Sequence, residues 1–263
     1  MNICFPISAR IRAPARLVDR TASWRPVDFP IRYGLIDHAR EGLILIDTGY
    51  SDDLYRPRSV TLAFYRAMLR PVLDPRGDAA VQLARRGARP EDVRHVIVSH
   101  LHADHICGLG RFPNATIHAS AETLRRWACP SYWRDARTGL LRPLLPDRAD
   151  FACRTLEYGE DVDLPWGGQG HDIFGDGSMI SVDLPGHMNG HIGVFLAGAH
   201  RPLLYAVDTA WTLAGALREP HPTWPARLVI ADHAAARRSA AVVKAAHAQG
   251  IAIQLCHDPE QAS

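Results

Sequence analysis

The stretch VIVSHLHADHICGLG, residues 96–110, places four metal-binding side chains directly after an apolar run. They are His100, His102, Asp104 and His105. Imidazole nitrogens and carboxylate oxygens are ligands of borderline divalent cations, zinc first, with manganese, iron and cobalt as alternatives. Without a cation among them, these polar groups would be costly to desolvate at the end of a buried strand. The motif therefore predicts a metal site, and the alternative is a surface histidine cluster or a helix cap.

The spacing inside this motif favours two ions over one. His100 and His102 are two positions apart in a loop after a strand, so both rings can turn towards one ion. Asp104 and His105 are adjacent in the chain and can face a second ion beside the first.

Polar residues also follow apolar runs elsewhere in the chain. His187 follows DLPG, Asp208 ends the run LLYAV, and His257 follows IAIQLC. Asp47 ends the earlier run LILI. A carboxylate at the tip of a buried strand needs a partner that offsets its desolvation, and a shared dication is such a partner. These positions therefore extend the predicted metal site.

The remaining pattern predicts two sets of strands, each followed by helices, which indicates two sheets with helices outside. Strands are predicted in a hairpin over 31–49, at 93–98 and 115–120, in a hairpin over 171–187, and at 191–198, 201–208 and 251–256. Helices are predicted over 57–70, with Pro57 near the start, and over 77–86, 121–127 and 231–250. We expect one domain over 1–263. Within it, residues 1–30 form a surface segment, and about 110–165 form an insert or lid whose part from 129 to 150 is a long loop.

Composition limits the partners and the location of the protein. The formal net charge is +2, which gives no case for nucleic acid or a membrane as a partner. The five cysteines have irregular spacing and form no CxxC pair, which favours a reducing compartment. No signal peptide and no membrane-spanning run of about 20 apolar residues is present, so we expect a cytoplasmic protein, either a monomer or a homodimer.

Together, HLHADH, PGHMNGH, the two strand-end residues Asp208 and His257, and the earlier LILIDTG resemble the metallo-β-lactamase-fold hydrolase superfamily. The resemblance runs from about residue 31 to 257. It implies an α/β (α+β) fold, an αββα sandwich of two mixed β-sheets flanked by helices, with the metals at one edge of the sheets.

The resemblance also implies which residues hold the metals. The expected ligands of the first ion are His100, His102 and His187. The expected ligands of the second ion are Asp104, His105 and His257, with Asp208 bridging both. Asp47 is expected to orient a ligand histidine from behind. For His191 the sequence leaves two alternatives, an orienting role of the same kind or simple packing.

Within this superfamily, the chain is most similar to the compact N-acyl homoserine lactone lactonases. The two-zinc β-lactamases usually carry Cys at the position of Asp208, which points away from antibiotic hydrolysis. The long insert between His105 and His187 also agrees with the lactonases. One departure concerns Trp211, which stands where those lactonases usually have a substrate-contacting Tyr. An indole donates one hydrogen bond but cannot act as a phenol does.

These observations predict a dinuclear hydrolase that opens a lactone or carboxylic ester, with an acyl homoserine lactone as one candidate. Two divalent ions would lower the pKa of a bridging water, so that hydroxide attacks the carbonyl carbon. Asp104 is the expected proton donor to the leaving group. The aromatic candidates for an acyl pocket are Trp127, Tyr132, Trp133 and Trp211. The alternatives are a phosphodiesterase or organophosphate hydrolase with the same ligands, and a catalytically silent metal-binding sensor.

Overall fold

The computed structural model describes residues 1–18, 22–56, 58–218 and 230–259, apart from the side chain of Tyr132. Pro57, the predicted helix start, lies outside these residues. The described strands are β1 Asn2–Cys4, β2 Ile7–Pro14, β3 Pro26–Arg32, β4 Gly34–His38, β5 Gly42–Ile46, β6 Val72–Leu73, β7 Val93–Ile97, β8 Thr116–Ala119, β9 Cys153–Thr155, β10 Asp161–Asp163, β11 Gln169–Asp172, β12 Ile180–Asp183, β13 Ile192–Leu196, β14 Leu203–Val207 and β15 Ala252–Leu255. The described α-helices are α1 Val60–Leu69, α2 Ala79–Ala84, α3 Ala103–Ile106, α4 Ala121–Ala128, α5 Tyr132–Thr138, α6 Leu213–Leu217 and α7 His233–Ala248. The α/β class expected from the sequence is confirmed.

Contacts divide the chain into two compact units. The first unit comprises Met1–Arg12, Asp28–Ala119 and Thr123–Arg154. The second unit comprises Ala13–Val27, Ser120–Glu122 and the chain from Thr155 onwards. The single domain over 1–263 stays a prediction.

The first unit is built around a six-stranded sheet with the order β1-β4-β5-β7-β8-β9. β5 pairs antiparallel with β4 and parallel with β7, which is itself parallel to β8. Ile44, Leu45 and Ile46 are fully buried, as a continuous apolar run in a central strand requires. Because β5 and β7 run parallel, their carboxyl ends reach the same edge of the sheet. Asp47 therefore follows one strand, and the HLHADH motif follows its neighbour.

The second unit contains another six-stranded sheet, with the order β10-β11-β12-β13-β14-β15. Its neighbours pair antiparallel except β14 and β15, which are parallel. The core includes Val182, Leu204 and Val243. The parallel pair ends at Val207 and Leu255, so Asp208 and His257 emerge at the same edge of this sheet.

The N-terminal segment, predicted to follow the surface, instead supplies strands. β1 pairs with β4 in the first sheet, and a third sheet has the order β3-β2-β6. Ala9 and Phe29 are buried. The alternation of side chains in ISARI is typical of a strand, but the surrounding Arg and Pro residues obscured this pattern in the sequence.

The region 129–150, predicted as a loop, contains the helix α5. Left-handed Gly139, with φ +71°, ends this helix. Asp135 of α5 forms an ion pair with Arg142 at 2.7 Å, and the Arg142 guanidinium also donates to the carbonyls of Arg126 and Trp127. These long-side-chain contacts order a region that shows little apolar periodicity.

The structure also bears on the cysteines and on membrane-spanning segments. All five cysteines are free. Among the described residues, no helix has both the length and the apolar character needed to cross a lipid bilayer.

Candidate metal centre

The first unit brings the four residues of the opening motif together around the short helix α3. His100 and His105 are fully buried, and Asp104 is 7% exposed. His100 Nε2 lies 3.0 Å from His102 Nδ1, and His105 Nε2 lies 3.6 Å from Asp104 Oδ2. The motif therefore forms two neighbouring pairs of donor atoms.

Asp47 orients His105 through a fully buried hydrogen-bond network. Its Oδ1 accepts from the Ser99 backbone N–H at 2.8 Å, and its Oδ2 accepts from the Ser99 hydroxyl at 2.7 Å. The same Oδ2 lies 2.7 Å from His105 Nδ1. A carboxylate can only accept here, so Nδ1 carries the proton and Nε2 keeps its lone pair for a cation. Asp47 has φ +61°, a conformation that Asp tolerates better than most residues.

The tautomers of His100 and His102 are set in the same way. The Ser99 hydroxyl donates to Asp47 and accepts from His100 Nδ1 at 3.0 Å, which leaves His100 Nε2 as an acceptor. His102 Nε2 donates to the Thr138 carbonyl at 2.9 Å, which leaves His102 Nδ1 as an acceptor. Two acceptor nitrogens 3.0 Å apart do not hydrogen-bond to each other, but one cation can bind both. The donor chemistry of this pair therefore fits a divalent metal ion.

Thr138 was not identified from the sequence. Its contribution is a backbone carbonyl at the end of α5, and no side-chain signal marks such a group. Gly139 comes next, and a Cβ there would lie 3.4 Å from His102 Nε2. The insert therefore approaches His102 with backbone atoms.

The second unit groups a carboxylate with two histidines. Asp208 Oδ2 lies 3.4 Å from His187 Nε2 and 3.3 Å from His257 Nε2. Burial disfavours a charged His257, but Cys256 and Asp208 together raise its pKa well above the usual range. The negative charge beside His257 that raises this pKa also favours a metal cation.

His191 orients the backbone of Asp208. Its Nδ1 donates to the Leu184 carbonyl at 2.8 Å, and its Nε2 accepts the Asp208 backbone N–H at 3.3 Å. Both ring nitrogens are thus occupied by backbone groups. His191 therefore contacts the backbone at Asp208, and its role in orienting a metal ligand stays a prediction.

The loop that carries His187 packs closely on α7. Gly186 has φ +132°, and a Cβ there would lie 2.2 Å from the Ala236 backbone nitrogen. The Gly186 and His187 carbonyls accept from the backbone N–H groups of Asp232 and Ala231. The glycine of the PGH sequence is needed for this close approach.

Trp211 and Cys256 lie beside His257. The indole of Trp211 stacks on the His257 ring with centroids 4.5 Å apart and an interplanar angle of 30°. Cys256 is fully buried, and its Sγ lies within 4.8 Å of a His257 ring nitrogen. Cys256 was not among the ligands expected from the sequence, and the structure adds its sulfur to the candidate donor atoms.

The other aromatic candidates differ in environment. Trp127 is buried, and its indole N–H donates to the Pro146 carbonyl at 3.0 Å. Trp133 is 82% exposed. The side chain of Tyr132 lies outside the described part of the chain. The environment of Trp127 is therefore typical of local packing within the insert.

Comparison with known proteins identifies the family of the chain. The family model of the metallo-beta-lactamase superfamily matches residues 27–245. A probable metallo-hydrolase of Mycobacterium tuberculosis is 32% identical over 71% of this chain and 60% of its own length. An N-acyl homoserine lactonase, AttM, of Rhizobium johnstonii is 30% identical over 71% of this chain and 67% of its own. The chain thus spans about 60% of the length of the mycobacterial relative.

Solved structures support the fold. An N-acyl homoserine lactone hydrolase, solved with the product N-hexanoyl-L-homoserine at its catalytic metal centre, superposes with a TM-score of 0.71. That match has 20% identity and covers 98% of this chain and 93% of the other. The dizinc lactonase AidC superposes with a TM-score of 0.67 at 17% identity, over 98% and 87% of the two chains. The family model matches most of this chain, residues 27–245. The chain therefore belongs to the metallo-beta-lactamase superfamily.

Proposed function

We propose that the protein is a dinuclear metal-dependent hydrolase that opens a lactone or cleaves a carboxylic ester. The observation that carries the proposal is the pair of acceptor nitrogens, His100 Nε2 and His102 Nδ1, which lie 3.0 Å apart. The Ser99 hydroxyl and the Thr138 carbonyl fix the tautomers of the two rings. Such pre-set lone pairs suit a cation better than a mutual hydrogen bond.

His100 and His102, with His187, would hold one ion. Asp104 and His105, with His257, would hold the other, and the remaining carboxylate, Asp208, would bridge them. When bound, two divalent ions supply an activated water and a Lewis acid for the carbonyl oxygen.

The residues around the ligands have separate tasks in this proposal. Asp47 keeps His105 in the tautomer that presents Nε2, and His191 holds the backbone at Asp208. Asp104 would carry a proton to the leaving alkoxide oxygen. Trp211, stacked on His257, would offer its indole N–H to the substrate.

The relatives support the proposed substrate class. The Rhizobium johnstonii relative is named an N-acyl homoserine lactonase, and we propose a lactone of this kind or a related ester for this chain. Zinc is the proposed metal, with manganese, iron and cobalt as alternatives. Cytoplasmic location and a monomeric or homodimeric state stay predictions from the sequence.

The test begins with metal analysis of protein purified without chelators. About two equivalents of divalent metal are expected, together with metal-dependent proton release from N-hexanoyl homoserine lactone, γ-butyrolactone or p-nitrophenyl acetate. The double variant Asp104→Ala/His257→Ala should lose turnover and retain its fold, while Asp37→Asn on the exposed side of β4 serves as a matched control.

Two results would overturn the proposal. Metal-loaded protein that cleaves aryl phosphodiesters but opens no lactone or ester is a phosphodiesterase of the same fold. Protein that takes up metal but turns over neither class, with the double variant unchanged in fold, is a sensor.

A further inference from the structure

Helix α5 carries the Thr138 carbonyl that accepts from His102, but it buries little apolar surface of its own. It spans seven residues, and among its described side chains only Asp135 is buried. Leu140, just after the helix, is also buried. Helices this short are not stable in water on propensity alone, so tertiary contacts must fix their position. Polar contacts are therefore needed to fix the end of α5.

Arg126 provides a buried cation at this end of the helix. It lies in α4 and is 2% exposed. Its Nη2 donates to the Thr138 hydroxyl at 2.5 Å, and this hydroxyl donates in turn to the Arg134 carbonyl at 2.8 Å. The carbonyl of the same Thr138 accepts from His102 Nε2 at 2.9 Å. Thr138 therefore links a buried guanidinium directly to a proposed metal ligand.

Asp135 and Arg142 complete the charged cluster around Arg126. Asp135 Oδ1 lies 3.9 Å from Arg126 Nη2, and Asp135 Oδ2 accepts from Arg142 Nε at 2.7 Å. The Arg142 guanidinium also donates to the Arg126 backbone carbonyl at 2.5 Å. Buried charges are costly unless they are paired and hydrogen-bonded, so each of these side chains is constrained by the other two. The cluster thereby fixes Arg126 relative to α5.

We propose that Arg126 is a positioning residue for His102, acting through the Thr138 hydroxyl to keep the Thr138 carbonyl in hydrogen-bond reach of His102 Nε2. The inference rests on the proposed function, in which His102 binds one ion through Nδ1. If the carbonyl moves away, Nε2 loses its acceptor and the proton can settle on Nδ1. The ring then presents no lone pair to the ion. Arg126 was not identified from the sequence, because arginines are mostly exposed.

The test compares Arg126→Leu, Thr138→Val and their double variant with the wild type. Arg137→Gln is the matched control, because Arg137 lies beside Thr138 in α5 and its side chain is exposed. In metal-free protein labelled with ¹⁵N, long-range ¹H–¹⁵N spectra of the imidazole rings report the tautomer of His102. The same metal-free samples are titrated with Co²⁺ to obtain the affinity for each ion.

Each single variant should convert His102 from the Nε2–H tautomer to a mixture of both tautomers. Each should weaken the ion of His102 by about tenfold, at the lower end of the effect of an orienting partner, with a smaller loss at the other ion. The double variant should be no worse than the weaker-binding single variant, because both changes remove the same hydrogen bond. Arg137→Gln should match the wild type in both measurements.

The inference is wrong if His102 keeps the Nε2–H tautomer in both single variants. It is also wrong if both ions weaken equally while the unfolding midpoint falls, since Arg126 would then have a purely structural role. If Arg126→Leu does not fold, Thr138→Val tests the same hydrogen bond and leaves the charged cluster in place. Wild-type protein that binds no Co²⁺ would refute the proposed function, while the tautomer comparison would still decide whether Arg126 positions His102.

Discussion

Replacing Asp47 by Asn changes one atom of a fully buried network and should uncouple His105 from the metal. Asn tolerates the positive φ of 61° at this position, so the backbone is not strained. The amide has only one oxygen. If that oxygen faces the Ser99 N–H, the amide NH₂ group faces His105 Nδ1, which must then become the acceptor. The proton would then move to Nε2, the nitrogen needed for the cation. In the flipped orientation, the NH₂ group meets the Ser99 backbone N–H, donor against donor.

Either orientation leaves a mismatched buried group, which costs about 1–3 kcal/mol of stability. Loss of an orienting partner weakens metal binding by about 10–100-fold, or about 1.4–2.7 kcal/mol. Competition with a chromophoric chelator measures the affinity for each ion. We expect the larger loss at the ion of His105 and a smaller loss at the ion of His100, whose tautomer depends on Asp47 through the Ser99 hydroxyl. Asp37→Asn, on the exposed side of the adjacent strand, should change neither. Asp47→Asn protein that holds both ions within about threefold of the wild-type affinity would contradict the tautomer argument.

Three other changes have defined outcomes. Gly139→Ala should lower the free energy of unfolding in urea by about 1–2 kcal/mol, because φ +71° is left-handed. The same change should weaken metal binding at His102 by about tenfold in chelator competition. Unchanged affinity would show that the insert does not position this ring. His191→Leu removes the imidazole that hydrogen-bonds the Leu184 carbonyl and the Asp208 N–H. The free energy of unfolding should fall by about 2–3 kcal/mol. A loss below about 0.5 kcal/mol would refute the orienting role. Burial and neighbouring cations lower the pKa of His118 from 6.5 to about 3. As pH falls through this range, the unfolded chain binds a proton that the folded chain does not, so stability decreases by about 2 kcal/mol from pH 7 to 5. His118→Gln should remove this part of the pH dependence in urea unfolding, and an unchanged slope would refute it.

The polar residues at the strand ends were predictable from the sequence because burial of the preceding strand constrains them. A continuous apolar run such as LILI requires burial on both faces, and a polar residue at its end then needs a partner. Asp47 and Asp208 were found in this way. Parallel pairing of β5 with β7 and of β14 with β15 then places each aspartate near the histidines of its own unit.

The orienting groups were harder to predict, because several are not side chains with a recognisable pattern. The Thr138 carbonyl that fixes His102 is a backbone atom, and any residue could supply it. The strands before residue 32 were missed for a related reason, since Arg and Pro interrupt an alternation that still buries Ala9.

The hydrogen bond between His102 and the Thr138 carbonyl has a consequence for engineering. A designer who exchanges the segment around α5 to alter substrate preference also exchanges the acceptor that fixes the His102 tautomer. Grafts that preserve the carbonyl and the glycine after it should retain their metal, while grafts of a different length should need more metal in the medium to reach the same occupancy.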